Sequence, residues 1–174
     1  RNITQIPSPD FEVVHLKEIV DRVKNLMKGE ALSRSITVET EFESDSIEVV
    51  ADSQLIEQSL INVVKNAFKV LKNRQDPKVI LKGGIDESGH AFIDVQDNGP
   101  GVPEDLLPHL FEPFITTKTN GSGLGLALVA KIIGDHGGVI ECDSQRQKTV
   151  FRILMPAFTG DSTASSDRTS RGTE

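Results

Sequence analysis

The stretch NVVKNAFK, residues 62–69, lies inside the longest helical pattern of this 174-residue chain. Apolar residues recur around it at three- and four-residue spacing, which is typical of one face of an amphipathic helix. The apolar stripe consists of Ile56, Leu60, Val63, Val64, Ala67 and Leu71. We expect the helix to begin after a cap at Asp52 or Ser53 and to end near Lys72, before the run NRQDP at residues 73–77.

Three polar residues follow the opposite side of the same pattern. Asn62, Asn66 and Lys69 are spaced by four and three residues, so in a helix they project from one side. They would offer two amide oxygens, suited to a hard cation such as Mg²⁺, and one ammonium that can meet phosphate oxygens. Taken alone, the pattern is also typical of a solvent-exposed polar face, and other parts of the chain must decide.

Further helices and strands are predicted on both sides of this helix. A helix is expected over 15–32 and another over 123–135, with a short one starting near Pro103. Period-two alternation or β-branched composition predicts strands at 36–42, 47–51, 78–85, 91–96, 138–143 and 149–155. The turn at 86–89 makes the third and fourth of these strands a predicted hairpin.

The sequence DNGPG, residues 97–101, comes directly after one of these strands. Asp97 can accept a hydrogen bond from an exocyclic amine such as that of adenine. Gly99 and Gly101 would let the backbone approach a flat ring without a Cβ in the way. An ordinary tight turn has the same composition, so that interpretation stays open beside the first.

The sequence TTKTNGSGLGL, residues 116–126, is a predicted flexible loop that enters a helix. Glycine amides at a helix N-terminus form an anion site, and glycine-rich flanks permit a lid that opens and closes. The segment lacks the Gly-Lys-Ser/Thr of a phosphate-binding P-loop. It also carries Leu126 where a dinucleotide fingerprint would need a third glycine.

Composition limits the function classes. A formal net charge of −7 and a pI near 5.1 argue against a nucleic-acid partner. Cys142 is the only cysteine, and its apolar setting favours a buried, inert thiol. There is no apolar run near 18 residues, so no membrane contact is expected. One domain is predicted over 12–158, with a lead-in at 1–11 and a disordered tail at 159–174.

Four motifs in this order resemble the catalytic domain of sensor histidine kinases, a branch of the ATPase superfamily that also holds gyrase and MutL. Residues 62–69 look like the family's N box, 97–101 like its G1 box, 111–114 like its F box and 121–126 like its G2 box. The resemblance implies an α+β fold, a two-layer α/β sandwich in which a mixed sheet packs on about three helices. It also implies ATP and Mg²⁺ as cofactors.

Family roles transfer to matching positions of this sequence. Asn66, helped by Asn62, would hold Mg²⁺, and Lys69 would contact phosphate. Asn62 and Lys69 would be the catalytic residues. Asp97 would accept a hydrogen bond from the adenine amino group and would be supported through water by Thr149. The residues expected around the nucleotide are Asn66, Lys69, Asp97, Gly99, Gly101, Val102, Phe114, Thr116, Thr117, Lys118, Gly121, Ser122, Gly123, Leu124, Gly125, Leu126 and Thr149. Lys148 replaces the glycine usual before this threonine, which puts the shape of that turn in question.

The resemblance also bears on the reaction. Hydrolysing relatives carry a glutamate base where this chain has Asn62, so phosphoryl transfer is favoured over hydrolysis. The stretch 110–145 is similar to nitrogen-regulation kinases of the NtrB type. The family's phosphoacceptor motif is missing, and the histidines are expected to be structural or solvated: His15, His90, His109 and His136.

Partners follow from the same resemblance. The γ-phosphate would pass to a histidine on a separate dimerisation domain and then to the receiver domain of a response regulator. The fragment itself is expected to be monomeric and cytoplasmic. Two alternatives stay open: a hydrolysing ATPase or serine kinase of the same fold, and a nucleotide-binding module without catalysis.

Overall fold

The computed structural model describes residues 8–113 and 122–160. Within these ranges the α-helices are α1 (Leu16–Ser33), α2 (Ser53–Val70) and α3 (Ser122–Asp135). The strands are β1 (Glu12–His15), β2 (Thr37–Phe42), β3 (Glu48–Ala51), β4 (Lys78–Ile85), β5 (His90–Asp97), β6 (Val139–Gln145) and β7 (Lys148–Pro156). None of the helices in the described ranges combines the length and apolarity needed to cross a bilayer.

Five strands form the main sheet in the order β2-β4-β5-β7-β6. β2 and β4 are parallel, while the other neighbouring pairs are antiparallel. The sheet is therefore mixed, and the helices cover one of its faces. This arrangement confirms the predicted α+β sandwich of a mixed sheet on three helices.

The core lies between the helices and the inner face of the sheet. Helix α2 is central, because it packs against both α1 and α3. Its buried apolar residues are Phe68 and the predicted stripe as far as Ala67. The last residue of the stripe, Leu71, is also buried and lies just past the end of the helix. The facing side chains come from alternate positions of the central strands, including Ile93, Val95, Phe151 and Ile153. Period-two and period-3.6 patterns thus meet in one apolar layer.

Asp52 is the N-cap of α2, as predicted. Its Oδ1 accepts hydrogen bonds from the backbone N–H groups of Gln54 and Leu55 at 3.1 and 3.2 Å. Its Oδ2 accepts the N–H of Asp10 at 2.9 Å, which ties the start of the described chain to the helix. These bonds lower the pKa of the Asp52 carboxyl, with the Asp10 N–H as the largest cause.

The sequence pattern did not predict β1. This strand pairs antiparallel with β3, from Glu12 opposite Ala51 to His15 opposite Glu48. The far end of the chain joins the same small sheet, since the N–H of Phe158 donates to the Glu48 carbonyl at 2.7 Å. Four residues carry too little periodicity to predict a strand whose pairing is decided by distant parts of the chain.

The segment after the DNGPG turn also differs from expectation. The predicted short helix near Pro103 is only a 3₁₀ turn at Leu107–His109. Pro108 lies within that turn and Pro113 follows it, and proline removes the donors that an α-helix interior needs. The tail predicted for 159–174 lies almost entirely outside the described residues.

The outer face of the sheet carries a row of alternating charges, one residue from each strand. The row reads Glu41, Lys82, Asp94, Arg152 and Glu141 in strand order. Arg152 binds Asp94 through two nitrogens, Nε to Oδ1 at 2.7 Å and Nη2 to Oδ2 at 2.8 Å. The Arg152 guanidinium also lies 4.2 Å from the ring centre of Phe92. Cross-strand pairs of opposite charge stabilise a sheet face without helix cover.

Candidate functional site

Asp97 is the last residue of β5, at the edge of the sheet where the DNGPG turn begins. The residue is only 2% exposed. Its Oδ1 accepts the N–H of Gly99 at 2.9 Å, and no partner for Oδ2 is found among the described residues. Burial raises the pKa of this carboxyl, against smaller lowering effects of the Gly99 N–H and of Arg74. The result is a fixed acceptor with one oxygen open to a ligand.

The turn after Asp97 lies against the C-terminal end of α2. A Cβ built on Gly99 would come within 3.3 Å of Cγ2 of Val70. Gly101 has a φ of 94°, which side chains rarely adopt, and a Cβ there would lie 3.2 Å from the Gln145 carbonyl oxygen. The backbone conformation of Gly101 and the limited space at Gly99 therefore favour glycine at both positions, in addition to any approach to a ligand.

The polar flank of α2 lies beside this turn. Val70, which contacts the turn, follows Asn66 by one helical turn, so the two residues share a side of α2. Asn62 and Asn66 are half-buried and Lys69 is exposed. At about 100° per residue these three side chains fall within roughly 60° of one another. Asp97 and the amide-bearing flank thus border the same end of the molecule.

Thr149 stands opposite Asp97 in the register of β5 and β7 and is also buried. Its Oγ1 lies 2.9 Å from Oγ of Ser144 on β6. The Ser144 hydroxyl in turn accepts the N–H of Val102 at 2.7 Å. Two hydroxyls therefore connect the sheet beside Asp97 to the segment that follows the DNGPG turn.

The turn before Thr149 takes a shape that accommodates Lys148. Lys148 is the first residue of β7 and pairs with Gln145, so its backbone is extended. The left-handed residue of the turn is Gln147, with a φ of 65°. Replacement of the usual glycine at position 148 is consistent with this geometry.

Cys142 lies on β6, half-buried and near the same carboxylate. Burial raises the pKa of its thiol to about 12, and the negative charges of Asp97 and Asp143 add to the rise. Because the thiolate is the reactive form, this cysteine is inert at neutral pH. The expectation of an unreactive thiol agrees with this environment.

Much of the predicted lid lies outside the described residues. These positions are Phe114, Thr116, Thr117, Lys118 and Gly121. Ser122, Gly123 and Leu124 form the first turn of α3, so glycine amides stand at a helix N-terminus as expected. Gly125 is half-exposed and Leu126 is buried, which makes the Leu126 side chain part of the core.

The first F-box phenylalanine is a core contact. The Phe111 ring packs edge-on against Phe151, with ring centres 6.2 Å apart. This contact holds the segment that leads toward the predicted lid against the central strands.

His136 is the buried histidine of the described chain, and its role is structural. Its Nδ1 lies 2.7 Å from the Ile132 carbonyl oxygen, to which it donates. Its Nε2 accepts the N–H of Asp52 at 3.1 Å. This pair of bonds requires the neutral ring and joins the end of α3 to the start of α2. His15, His90 and His109 lie at or near the surface.

Three residues at the site were missed by sequence reasoning. Ser144 belongs to none of the sequence motifs, and the sequence around Arg74 and Asn98 predicts only a loop and a turn. Arg74 Nε donates to the Asn98 carbonyl at 2.8 Å. These contacts depend on which loops meet in space, and no local pattern records that.

Comparison with known proteins agrees with this geometry. The family model described as "Histidine kinase-, DNA gyrase B-, and HSP90-like ATPase" matches residues 51–159. The chain is 47% identical over 157 residues, 83% of its length, to the sensory histidine kinase/phosphatase NtrB of Rhizobium leguminosarum bv. phaseoli. It spans 41% of that protein and 42% of the Rhizobium meliloti NtrB, which is less than half of these relatives.

Solved structures give the same result. The catalytic domain of histidine kinase ThkA superposes with a TM-score of 0.76 at 32% identity, over 84% of this chain and 95% of that one. A complex of histidine kinase ThkA with the response regulator protein TrrA matches with a TM-score of 0.72 at 29% identity, over 85% of this chain and 42% of that chain.

The chain belongs to the Histidine kinase-, DNA gyrase B- and HSP90-like ATPase family. Within that family it is an ATP-binding catalytic domain of the histidine kinase type, and it is homologous to the corresponding part of the NtrB kinases.

Proposed function

We propose that this domain binds Mg-ATP between α2 and the segment before α3 and presents the γ-phosphate to a histidine on a separate helical domain. The observation that carries the proposal is the position of Asp97, a buried carboxylate whose Oδ2 has no partner among the described residues, in a turn that packs on the end of α2 one helical turn after Asn66. Asp97 could bind the base and the α2 asparagines could hold the metal near the phosphates. Their position at one end of the fold supports a single nucleotide site.

The purine end of the site is formed by Asp97. Its Oδ2 would accept a hydrogen bond from the exocyclic amine of adenine, while Oδ1 stays engaged by Gly99. The hydroxyls of Thr149 and Ser144 lie next to it and would hold bridging water. Because the carboxylate is buried and already oriented, little reorganisation is needed when the base enters.

The phosphate end is formed by α2 and the start of α3. The amide oxygens of Asn66 and Asn62 are hard ligands of the kind that Mg²⁺ takes alongside phosphate oxygens. Among the described residues there is no cluster of three or more His, Cys, Asp and Glu residues that would compete for a metal ion. The bound ion would neutralise phosphate charge, and Lys69 would add a second positive charge.

Transfer to a protein histidine is favoured over hydrolysis. A hydrolase needs a base that activates water, and position 62 carries an amide, which cannot take a proton. Positioning and charge neutralisation are what phosphoryl transfer mainly requires. The domain therefore supplies orientation, and the acceptor histidine supplies the nucleophile.

The wider assignment rests on the relatives. The NtrB relatives support a role in nitrogen regulation, with relay of the phosphoryl group to the receiver domain of a response regulator, a kind of partner seen in the ThkA–TrrA complex. We place the domain in the cytoplasm, where ATP is available. We expect the isolated fragment, with a domain at 12–158, to be monomeric.

A transfer assay tests the proposal. The chain is mixed with the separately purified histidine-bearing domain of an NtrB relative and ATP labelled in the γ-phosphate. A kinase labels the histidine with an acid-labile bond. Asn66→Ala should abolish labelling, whereas Asn25→Ala, which removes an exposed amide on α1, should leave labelling unchanged.

Other outcomes separate the alternatives. Rapid phosphate release without the histidine-bearing domain would identify a hydrolase and contradict the proposal. Tight nucleotide binding with neither transfer nor release would identify a non-catalytic binding module. Labelling that survives Asn66→Ala would overturn the role given to the α2 flank.

A further inference from the structure

The loop between α2 and β4 is fastened to the turn that carries Asp97. Asn98, the residue after Asp97, is the point of attachment. Its carbonyl oxygen accepts Arg74 Nε at 2.8 Å. Its side-chain Oδ1 accepts the N–H of Lys78 at 2.9 Å, and its Nδ2 donates to the Asp76 carbonyl at 2.8 Å. We call Arg74, Asp76, Lys78 and Asn98 the clasp.

The backbone of this loop is held in an uncommon conformation. Asn73 and Asp76 have φ values of 64° and 51°, in the left-handed region that asparagine and aspartate tolerate better than most residues. These two residues, one before and one after Arg74, turn the chain so that the Arg74 guanidinium can donate to the Asn98 carbonyl. The loop thus has a shape adapted to reaching the turn.

We propose that Arg74 is a positioning residue for base recognition, which holds the Asp97 turn against the end of α2 through the carbonyl of Asn98. The inference deepens the proposed function and rests on Asp97 as the adenine-reading group. Arg74 itself needs no contact with the nucleotide, because its effect passes through the backbone between Asn98 and Asp97.

Two observations support a role in recognition beyond simple loop anchoring. The guanidinium is close enough to Asp97 to favour its ionised form, opposing the larger effect of burial on the pKa of that carboxyl. The turn also packs on the end of α2, where a Cβ added to Gly99 would lie 3.3 Å from Cγ2 of Val70 and 3.5 Å from Cδ2 of Leu71. Arg74 and α2 together define where the open oxygen of Asp97 stands.

The proposal predicts an effect on base selection. The exocyclic amine of adenine can donate a hydrogen bond to the Asp97 carboxylate, whereas the 6-oxo group of hypoxanthine is itself an acceptor and is repelled by a carboxylate. Displacing Asp97 therefore weakens ATP binding but has little effect on inosine triphosphate. A loop that merely contributes to stability would change both nucleotides alike.

The experiment measures dissociation constants for ATP and inosine triphosphate with Mg²⁺ present, together with the melting temperature. Arg74→Met removes the guanidinium at similar length and should weaken ATP binding by about tenfold, with less than about twofold change for inosine triphosphate. Arg74→Lys keeps the positive charge and should recover part of the preference for ATP. Lys72→Met removes an exposed cation from the same loop, two residues after the end of α2, and should match the wild type.

Asp97→Asn, measured in parallel, distinguishes failure of this inference from failure of the proposed site. If Asp97→Asn loses the preference for ATP and Arg74→Met keeps it, the positioning role of Arg74 is wrong, while the proposed purine site at Asp97 is supported. If Asp97→Asn also keeps the preference, Asp97 does not read the base, and the proposed purine site fails. An equal loss for both nucleotides in Arg74→Met, with a lower melting temperature, would show a structural role only.

Discussion

Asp97 combines a structural cost with the binding role that we propose for it. Burial raises the pKa of the Asp97 carboxyl above the usual range of an aspartate, which means that the folded state disfavours the charge relative to the unfolded chain. The penalty is present at neutral pH and disappears as the pH falls through the raised folded pKa.

Replacing Asp97 with asparagine should separate stability from binding. The amide oxygen can keep the Gly99 bond, which leaves the NH₂ group facing the adenine amine, donor against donor. We expect ATP affinity to fall by at least tenfold, or about 1.4 kcal/mol or more, while the free energy of unfolding at pH 7 stays equal or rises. Calorimetric titration and urea unfolding measure the two effects, and a variant that is destabilised yet binds ATP normally would contradict this account.

Cys142 should react slowly with thiol reagents in the folded protein. Its pKa of about 12 leaves almost no thiolate at pH 8, whereas an unfolded chain has an ordinary cysteine. We expect iodoacetamide to modify the native protein at least a hundredfold more slowly than the protein in urea. Mass spectrometry over time measures both rates, and similar rates would rule out the environment described for this thiol.

At the scale of elements, α2 is the part of the fold that joins core and site. One side of it packs into the core, its flank carries Asn62 and Asn66, and its C-terminal end supports the DNGPG turn. Its N-terminus is fixed by the Asp52 cap and by His136, which accepts the Asp52 N–H. Changes at the start of α2 therefore affect the element that holds the site.

Removing the cap should lower stability in a pH-dependent way. Asp52→Ala loses the capping bonds and the Asp10 bond, so the free energy of unfolding should fall by about 1–2 kcal/mol at pH 7. Since the folded pKa of Asp52 is lowered, this stability is present above the unfolded pKa and is lost as the pH falls through the folded pKa.

Asp52→Asn is the matched control, because asparagine is also a good N-cap. It should keep most of the stability at pH 7 but lose the pH-dependent part. Urea unfolding of both variants between pH 3 and pH 7 provides the measurement. Equal loss in both variants would mean that charge outweighs capping geometry at this position.

At the scale of the whole molecule, the proposed nucleotide site is assembled from distant parts of the chain. The end of α2, the turn after β5 and the hairpin of β6 and β7 meet around Asp97. A ligand held by several elements stabilises all of them together, since it binds the folded state and not the unfolded chain.

Mg-ATP should therefore raise the melting temperature. At a hundred times its dissociation constant it adds about 2.7 kcal/mol, which corresponds to roughly 5–10 °C for a domain of this size. Differential scanning fluorimetry with ATP, with and without EDTA, measures the effect. EDTA or Asn66→Ala should remove most of the shift, and a full shift in EDTA would contradict a metal at the α2 flank.

The helices and strands could be predicted because their apolar residues recur with the period of a helix or a strand. The stripe of α2, its Asp52 cap and the alternation of β7 need only neighbouring residues. The four motifs in order predicted the kinase fold, because their residues carry specific chemistry at fixed spacing. β1 and the 3₁₀ turn at Leu107–His109 were not predicted, since pairing with β3 and the prolines within and after the turn outweighed the local pattern.

By itself, the sequence determined the class of fold, the helix that carries the asparagines and the carboxylate at the end of β5. Only the tertiary structure decided that the Ser144 hydroxyl accepts the N–H of Val102, that Arg74 Nε donates to the Asn98 carbonyl and that Gly99 lies against Val70. The physical reason is range. Periodicity and capping act over a few residues, whereas these contacts join segments that become neighbours only when the sheet and helices have packed.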